Sequence, residues 1–213
     1  MIRHYAMSLN EALIAMSVIA IVTMMVVPVI KHSSQTSEYK AAYQRALNTL
    51  NNAYYEYLQG GMDKGNDTGT SVTKVNDPAY IGTTVDGVSM TTSSAIVDNI
   101  FKKHISRLPI EATDTFPFPG CSESGVKFYS IDGMRYCVKY STCTANSNYA
   151  DKTCGEIWVD VNGVKGPNHI AKNATHIGDI YPIVIMKDRF VPGSTSDSDA
   201  STFAQNLYFG LVK

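Results

Sequence analysis

The sequence predicts an α+β protein in which a long N-terminal helix, one half suited to a membrane and the other amphipathic, packs on an antiparallel β-sheet head. Three observations predict it. Residues 12–30 carry no charge, and from residue 39 apolar side chains recur every three or four positions. Beyond residue 125, short runs rich in β-branched and aromatic residues alternate with Asp-Gly and Asn-Gly turns. A chain of 213 residues that is 44% hydrophobic and 17% charged can bury a core of its own.

The uncharged run comes first. At 1.5 Å per residue, 12–30 makes about 28 Å of helix, close to the hydrocarbon thickness of a bilayer. A secretory signal would have a shorter apolar stretch followed by a small-residue cleavage site. Here the run continues into Pro28-Val-Ile-Lys31, which is a poor site of that kind. Arg3 and the terminal amine precede the run, so the distribution of positive charge places the N-terminus in the cytoplasm and the rest outside. Membrane lipid is the first expected partner. A single-pass tether would account for this much.

Next comes the stripe of Tyr39, Ala42, Tyr43, Ala46, Leu47, Leu50, Ala53, Tyr54, Tyr57 and Leu58, the core-facing side of a helix. Lys40, Arg45, Asn48, Asn51, Asn52 and Glu56 take the other faces, and Gly60-Gly61 supplies a stop. The two halves join into one nearly continuous helix ending at 59, with Pro28 expected to kink or locally melt it.

After the helix, residues 60–95 are rich in Gly, Thr, Ser, Asp and Asn and predict a long loop. A helix of two to three turns is expected over 94–105, ending before Pro109. Residues 126–131 and 134–140 flank Asp132-Gly133 and predict a hairpin. Further strands are expected at 156–161, ended by Asn162-Gly163, and at 180–185. Residues 203–212 are expected to close the sheet, and 197–201 to form an exposed loop.

Four cysteines, Cys121, Cys137, Cys143 and Cys154, fall in one stretch of the chain and nowhere else. They are separated by 15, 5 and 10 residues, without the close pairs that present two ligands to one zinc ion. Two disulfides are therefore expected ahead of free thiols or a metal, implying an oxidising compartment, with three connectivities open. His169 and His176 make no metal-spaced pair either. Side-chain oxygens of Asp160, Asn162 and Asp179 are candidate calcium ligands, but the segment lacks the alternation of an EF-hand loop, and turn chemistry is the preferred reading. No cofactor is expected.

A net charge of −1 with 18 scattered basic residues lacks the electrostatic footprint of a nucleic-acid binder. The chain contains no G-x-S-x-G, H-E-x-x-H, G-x-x-x-x-G-K-[ST] or G-x-G-x-x-G sequence. No catalytic residue is singled out, and the chain is not expected to be an enzyme.

The tether leaves one stretch unexplained, Met1-Ile-Arg-His-Tyr-Ala6 followed by Met7-Ser-Leu-Asn-Glu11. A short basic leader ending in a small residue, then a glutamate at the edge of the apolar run, resembles the signal of type IV pilins and of the pseudopilins of type II secretion. A cut between Ala6 and Met7 makes Glu11 the fifth residue of the mature chain and Pro28 the twenty-second, where that family has its glutamate and proline. The family more often has glycine before the cut, phenylalanine after it and an apolar residue at the place of Asn10. The segment 158–168 is also similar to stretches of pilin-like heads.

The resemblance implies a pilin-like fold with a leader over 1–6, the long helix over 7–59, of which 12–30 spans the membrane, and an extracytoplasmic head over 60–213. It implies cleavage and N-methylation at Ala6 and Met7 by a prepilin peptidase. Glu11 and Pro28 become assembly residues, with the Glu11 carboxylate meeting the terminal amine of a neighbouring subunit. A lone carboxylate at the edge of an apolar span is costly, and attraction to an amine in low dielectric offsets that cost. The implied partners are other pilin or pseudopilin subunits and an inner-membrane assembly platform. The implied location is the bacterial inner membrane, then a pilus or pseudopilus. The competing expectation is an uncleaved single-pass anchor carrying an extracytoplasmic binding head.

Overall fold

The computed structural model describes residues 9–60, 79–85, 88–105, 107–108, 118–121, 125–146, 149, 151–173 and 178–211, with side chains placed except at 25–33, 60, 85 and 107–108. Ala6, Met7, Pro109, His176 and the part of the expected loop over 61–78 lie outside them. The chain divides into two compact units, Met1–Glu38 and Tyr39–Lys213.

Helix α1, Leu9–Gly60, supplies the described part of the first unit and the opening of the second. Its backbone stays helical through position 28, so of the kink or local melting expected at Pro28 the melting does not occur. A proline removes one hydrogen bond, and a helix already propagated on both sides tolerates that loss.

The second unit is α+β. Strands β1 (Thr84–Val85) and β2 (Val88–Ser89) form a small antiparallel pair. Then come α2 (Ser93–Ile96), a π-helical turn (Val97–Phe101) and α3 (Lys102–His104). The hydroxyl of Thr92 caps this run by accepting from the Ala95 N–H at 3.1 Å. Strands β3 (Arg107–Leu108), β4 (Val126–Ser130), β5 (Arg135–Thr144), β6 (Thr153–Asp160), β7 (Ile180–Met186) and β8 (Phe190–Pro192) form a six-stranded antiparallel sheet in chain order. Each strand pairs with the next, so no connection has to cross the sheet.

Register places one apolar row over another. Phe128 pairs with Tyr136, Tyr136 with Val159 and Val159 with Tyr181, while Val138 pairs with Ile157 and Ile157 with Ile183. These side chains share a face, and Tyr39, Tyr43, Leu47, Leu50 and Tyr54 of α1 join them in one core. Burying each such side chain contributes about 1.5–3 kcal/mol. Tyrosine hydroxyls fix the helix on the sheet: Tyr43 donates to the Pro182 carbonyl and Tyr54 to the Lys187 carbonyl, each at 2.7 Å. The Asn51 amide does so as well, donating to the Phe190 carbonyl at 3.0 Å and accepting from the Phe190 N–H at 2.9 Å. One side chain thus serves as a further rung on the edge strand β8.

The opposite face is covered too. There Phe118, Cys137, Trp158, Ile180 and Ala200 form a second buried cluster. With both faces packed, β6 and β7 are buried along their whole length. The disulfides resolve the open connectivity: Cys121 joins Cys137, and Cys143 joins Cys154. The first ties the segment before β4 to β5, and the second links β5 to β6 beside a bulge.

Two further expectations are corrected. Residues 203–212 do not close the sheet, because Ser198–Phe209 forms helix α4. Its buried residues Ala200, Ser201, Ala204 and Leu207 recur at helical spacing. The stretch 197–201 is likewise no loop. Asp197 caps α4 by accepting from the Ala200 N–H at 3.0 Å, and Gly210, at φ 77°, takes the left-handed conformation that closes it.

Candidate functional site

Of the residues singled out in the N-terminal stretch, Glu11 is described and stands in the first turn of α1 on an exposed face. A carboxylate there complements the partial positive charge of the helix start. Pro28 lies within the helical backbone, with its side chain outside the described residues.

What surrounds Glu11 is more telling than the acid itself. Leu9, Leu13, Ile14, Met16, Val18, Ile19, Ile21, Val22 and Met24 all project into the surroundings, with exposures from 52% to 79%. Those positions go all the way round a helix, leaving no polar face. The polar side chains between residues 12 and 24 are Ser17 and Thr23, and both bond back to their own helix. Ser17 donates to the Ile14 carbonyl and Thr23 to the Ile19 carbonyl, each at 2.8 Å. Their hydroxyls are satisfied without water, as an apolar surrounding demands. Among the described residues no helix is long and apolar enough to cross a membrane. Of the expected span, side chains are placed for 12–24, and 25–30 lie outside them.

On the head, the candidate calcium ligands do come together, but as partners of protein groups. Arg135 donates through Nε to Asp160 at 3.0 Å and again through Nη2, which also reaches Asn168 Oδ1 at 2.8 Å. The Asn162 N–H donates to Asp160 at 3.1 Å, and the Asn162 amide donates to the Lys165 and Gly166 carbonyls. Asp179 accepts from the Asn168 and His169 N–H groups, each at 3.0 Å. Burial pushes the Asp160 carboxyl up to about 6, with Asp179 adding to the rise and Arg135 opposing it. This is turn chemistry: the oxygens pin the long β6–β7 connection. Among the described residues no group of three or more His, Cys, Asp or Glu is arranged to hold a metal.

A third buried acid escaped the sequence reading. Glu156 on β6 accepts from the Ser194 and Thr195 hydroxyls at 2.7 Å, from the Ser196 N–H and hydroxyl at 2.8 Å, and from the Thr195 N–H. Burial alone would raise its carboxyl, but these bonds outweigh it and hold the group below the ordinary range. The Ser-Thr-Ser run before the α4 cap was the available signal.

His104 lies against Glu56 at 3.1 Å on the surface, and His169 contributes its backbone to the Asp179 turn. Chemically, the described residues offer a disulfide-tied head and an apolar helix in need of cover. No family model, curated protein or solved structure matches this chain.

Proposed function

We propose that the protein is a prepilin: a structural subunit whose leader is removed between Ala6 and Met7 and whose new amine is methylated, after which it assembles into a type IV pilus or a type II secretion pseudopilus. Its work is assembly rather than catalysis. The observation that carries this reading is the apolar surface on every side of α1 between Leu9 and Met24, broken at its start by Glu11. Such a surface is stable only in lipid or against other helices, and a filament subunit uses both in turn.

The rest of the molecule suits the role. Two disulfides fit a head that works outside the cytoplasm. Glu11, at the edge of the span, would pair with the terminal amine of a neighbouring subunit and set the axial register of the filament, because the attraction is several-fold stronger in low dielectric than in water. The partners on this reading are prepilin peptidase, other subunits of the filament and an inner-membrane assembly platform.

The test is the intact mass of the chain coexpressed with a prepilin peptidase. The expected product has lost residues 1–6 and gained a methyl group on Met7. A chain that keeps its full mass is an uncleaved anchor instead.

A further inference from the structure

Within the head, three separate segments converge at the end where the chain enters from Glu38. The β4–β5 turn reaches α1 through Asp132, whose carboxylate lies 3.7 Å from Arg45. The loop after β6 reaches it through Asn162, whose amide donates to the Tyr39 hydroxyl at 3.4 Å. The end of α4 reaches it through Tyr208, whose carbonyl accepts from Gln44 at 2.9 Å, and through Gly210, where a Cβ would lie 3.0 Å from Lys40 Nζ. The first two also abut each other, since a Cβ on Gly163 would collide with the Gly133 carbonyl.

Each segment presents a large apolar side chain outward. Ile131 is 70% exposed, Val164 65%, Phe209 68% and Leu211 71%. Single exposed hydrophobics are ordinary on a protein surface. Here four of them come from the three segments that meet α1 at this end; Lys165 follows Val164 in the chain, and Lys40 Nζ lies beside Gly210, between Phe209 and Leu211. On the same end the Asp132 carboxylate is paired with Arg45. Apolar tips interleaved with lysines suit a surface that is hydrocarbon beneath and anionic above.

The covalent chain says which such surface is within reach. The apolar run ends at Ile30, nine residues before Tyr39. Even fully extended, that linker spans only about 30 Å. If residues 12–30 lie in a bilayer, this end of the head is held beside its surface.

We propose that the end of the head bearing Ile131, Val164, Phe209 and Leu211 rests on the anionic face of the bilayer, with those side chains entering the headgroup layer and Lys40 and Lys165 meeting lipid phosphates. The inference rests on the membrane-anchored reading above. It adds a docked state of the unassembled subunit, from which extraction into a filament must free the head as well as the helix.

The experiment uses the full chain in nanodiscs containing phosphatidylglycerol, with a photoreactive phenylalanine analogue in place of Ile131, Val164 or Phe209. A control replaces Tyr80, which belongs to the other end of the head, beside Tyr54 and Lys187. Lipid adducts are expected several-fold above the control at all three sites, and Lys165→Gln should lower them by up to about fivefold. Three results overturn the proposal while the protein stays in the nanodisc: no lipid adducts at these sites, equal adducts at Tyr80, or adducts only to a second copy of the chain. A chain that does not enter nanodiscs overturns the membrane reading itself, and this inference with it.

Discussion

Helix α1 offers two stretches of one regular backbone with opposite surfaces. Between Leu9 and Met24 the apolar side chains face outward on every side, and the hydroxyls of Ser17 and Thr23 bond back to carbonyls of the preceding turn. Between Tyr39 and Tyr54 the apolar side chains occupy one stripe and are buried, while tyrosine hydroxyls and the Asn51 amide reach out to strands. The difference teaches what each stretch is for. A stripe names one partner, the sheet; an apolar surface on every side asks for cover on every side.

The largest effect expected from this contrast is at Tyr43, which is fully buried and bonded to Pro182. Tyr43→Ala should destabilise the head by about 3–5 kcal/mol, as a cavity and a lost hydrogen bond together require. Leu13→Ala should leave head stability within about 0.5 kcal/mol of the parent. Thermal unfolding of both variants in the same detergent checks the pair. A comparable loss from Leu13→Ala would break the comparison.

Removing the cross-strand bridge tests whether the sheet that receives the stripe is independent of the first stretch. Cys143→Ser combined with Cys154→Ser should cost about 2–5 kcal/mol by chemical denaturation. Amide exchange over 9–24 should not change. Faster exchange there would mean that the two stretches depend on each other.

The smallest effect concerns Glu156, whose hydrogen bonds hold its folded carboxyl below the ordinary value. A depressed acid stabilises the fold above its unfolded pKa of about 4.3, and that contribution is lost as pH falls through the folded value. Glu156→Gln should therefore be less stable than the parent by about 1.5–3 kcal/mol near pH 7, with the gap closing below about pH 4. Denaturation midpoints of both proteins across that range measure it. A gap independent of pH would remove the charge of Glu156 from the account.

The two stretches were also unequally legible in the sequence. Period and charge sufficed for the stripe, because its apolar residues from Tyr39 to Tyr54 answer to one helix and one buried face. The β4–β5 hairpin was legible for the same local reason, Asp132-Gly133 between two β-prone runs, with Gly133 at φ 86°. Helix α4 was misread although its signals were local. Phe203 and Tyr208 attract a strand assignment, while Asp197, the Ala200–Ala204–Leu207 spacing and Gly210 state the helix.

By itself the sequence determined an α+β chain, the uncharged run, the striped helix and the pairing of cysteines into bridges, since each follows from neighbours along the chain. Only the tertiary structure decided which cysteines pair, that Asp160 answers to Arg135 and Glu156 to Ser194, Thr195 and Ser196, and that Asn51 completes the β8 edge. Those contacts join residues 11 to 139 positions apart. Periodicity records which side of an element is buried, whereas the partner across the core depends on how strands stack in register, and no local pattern carries that.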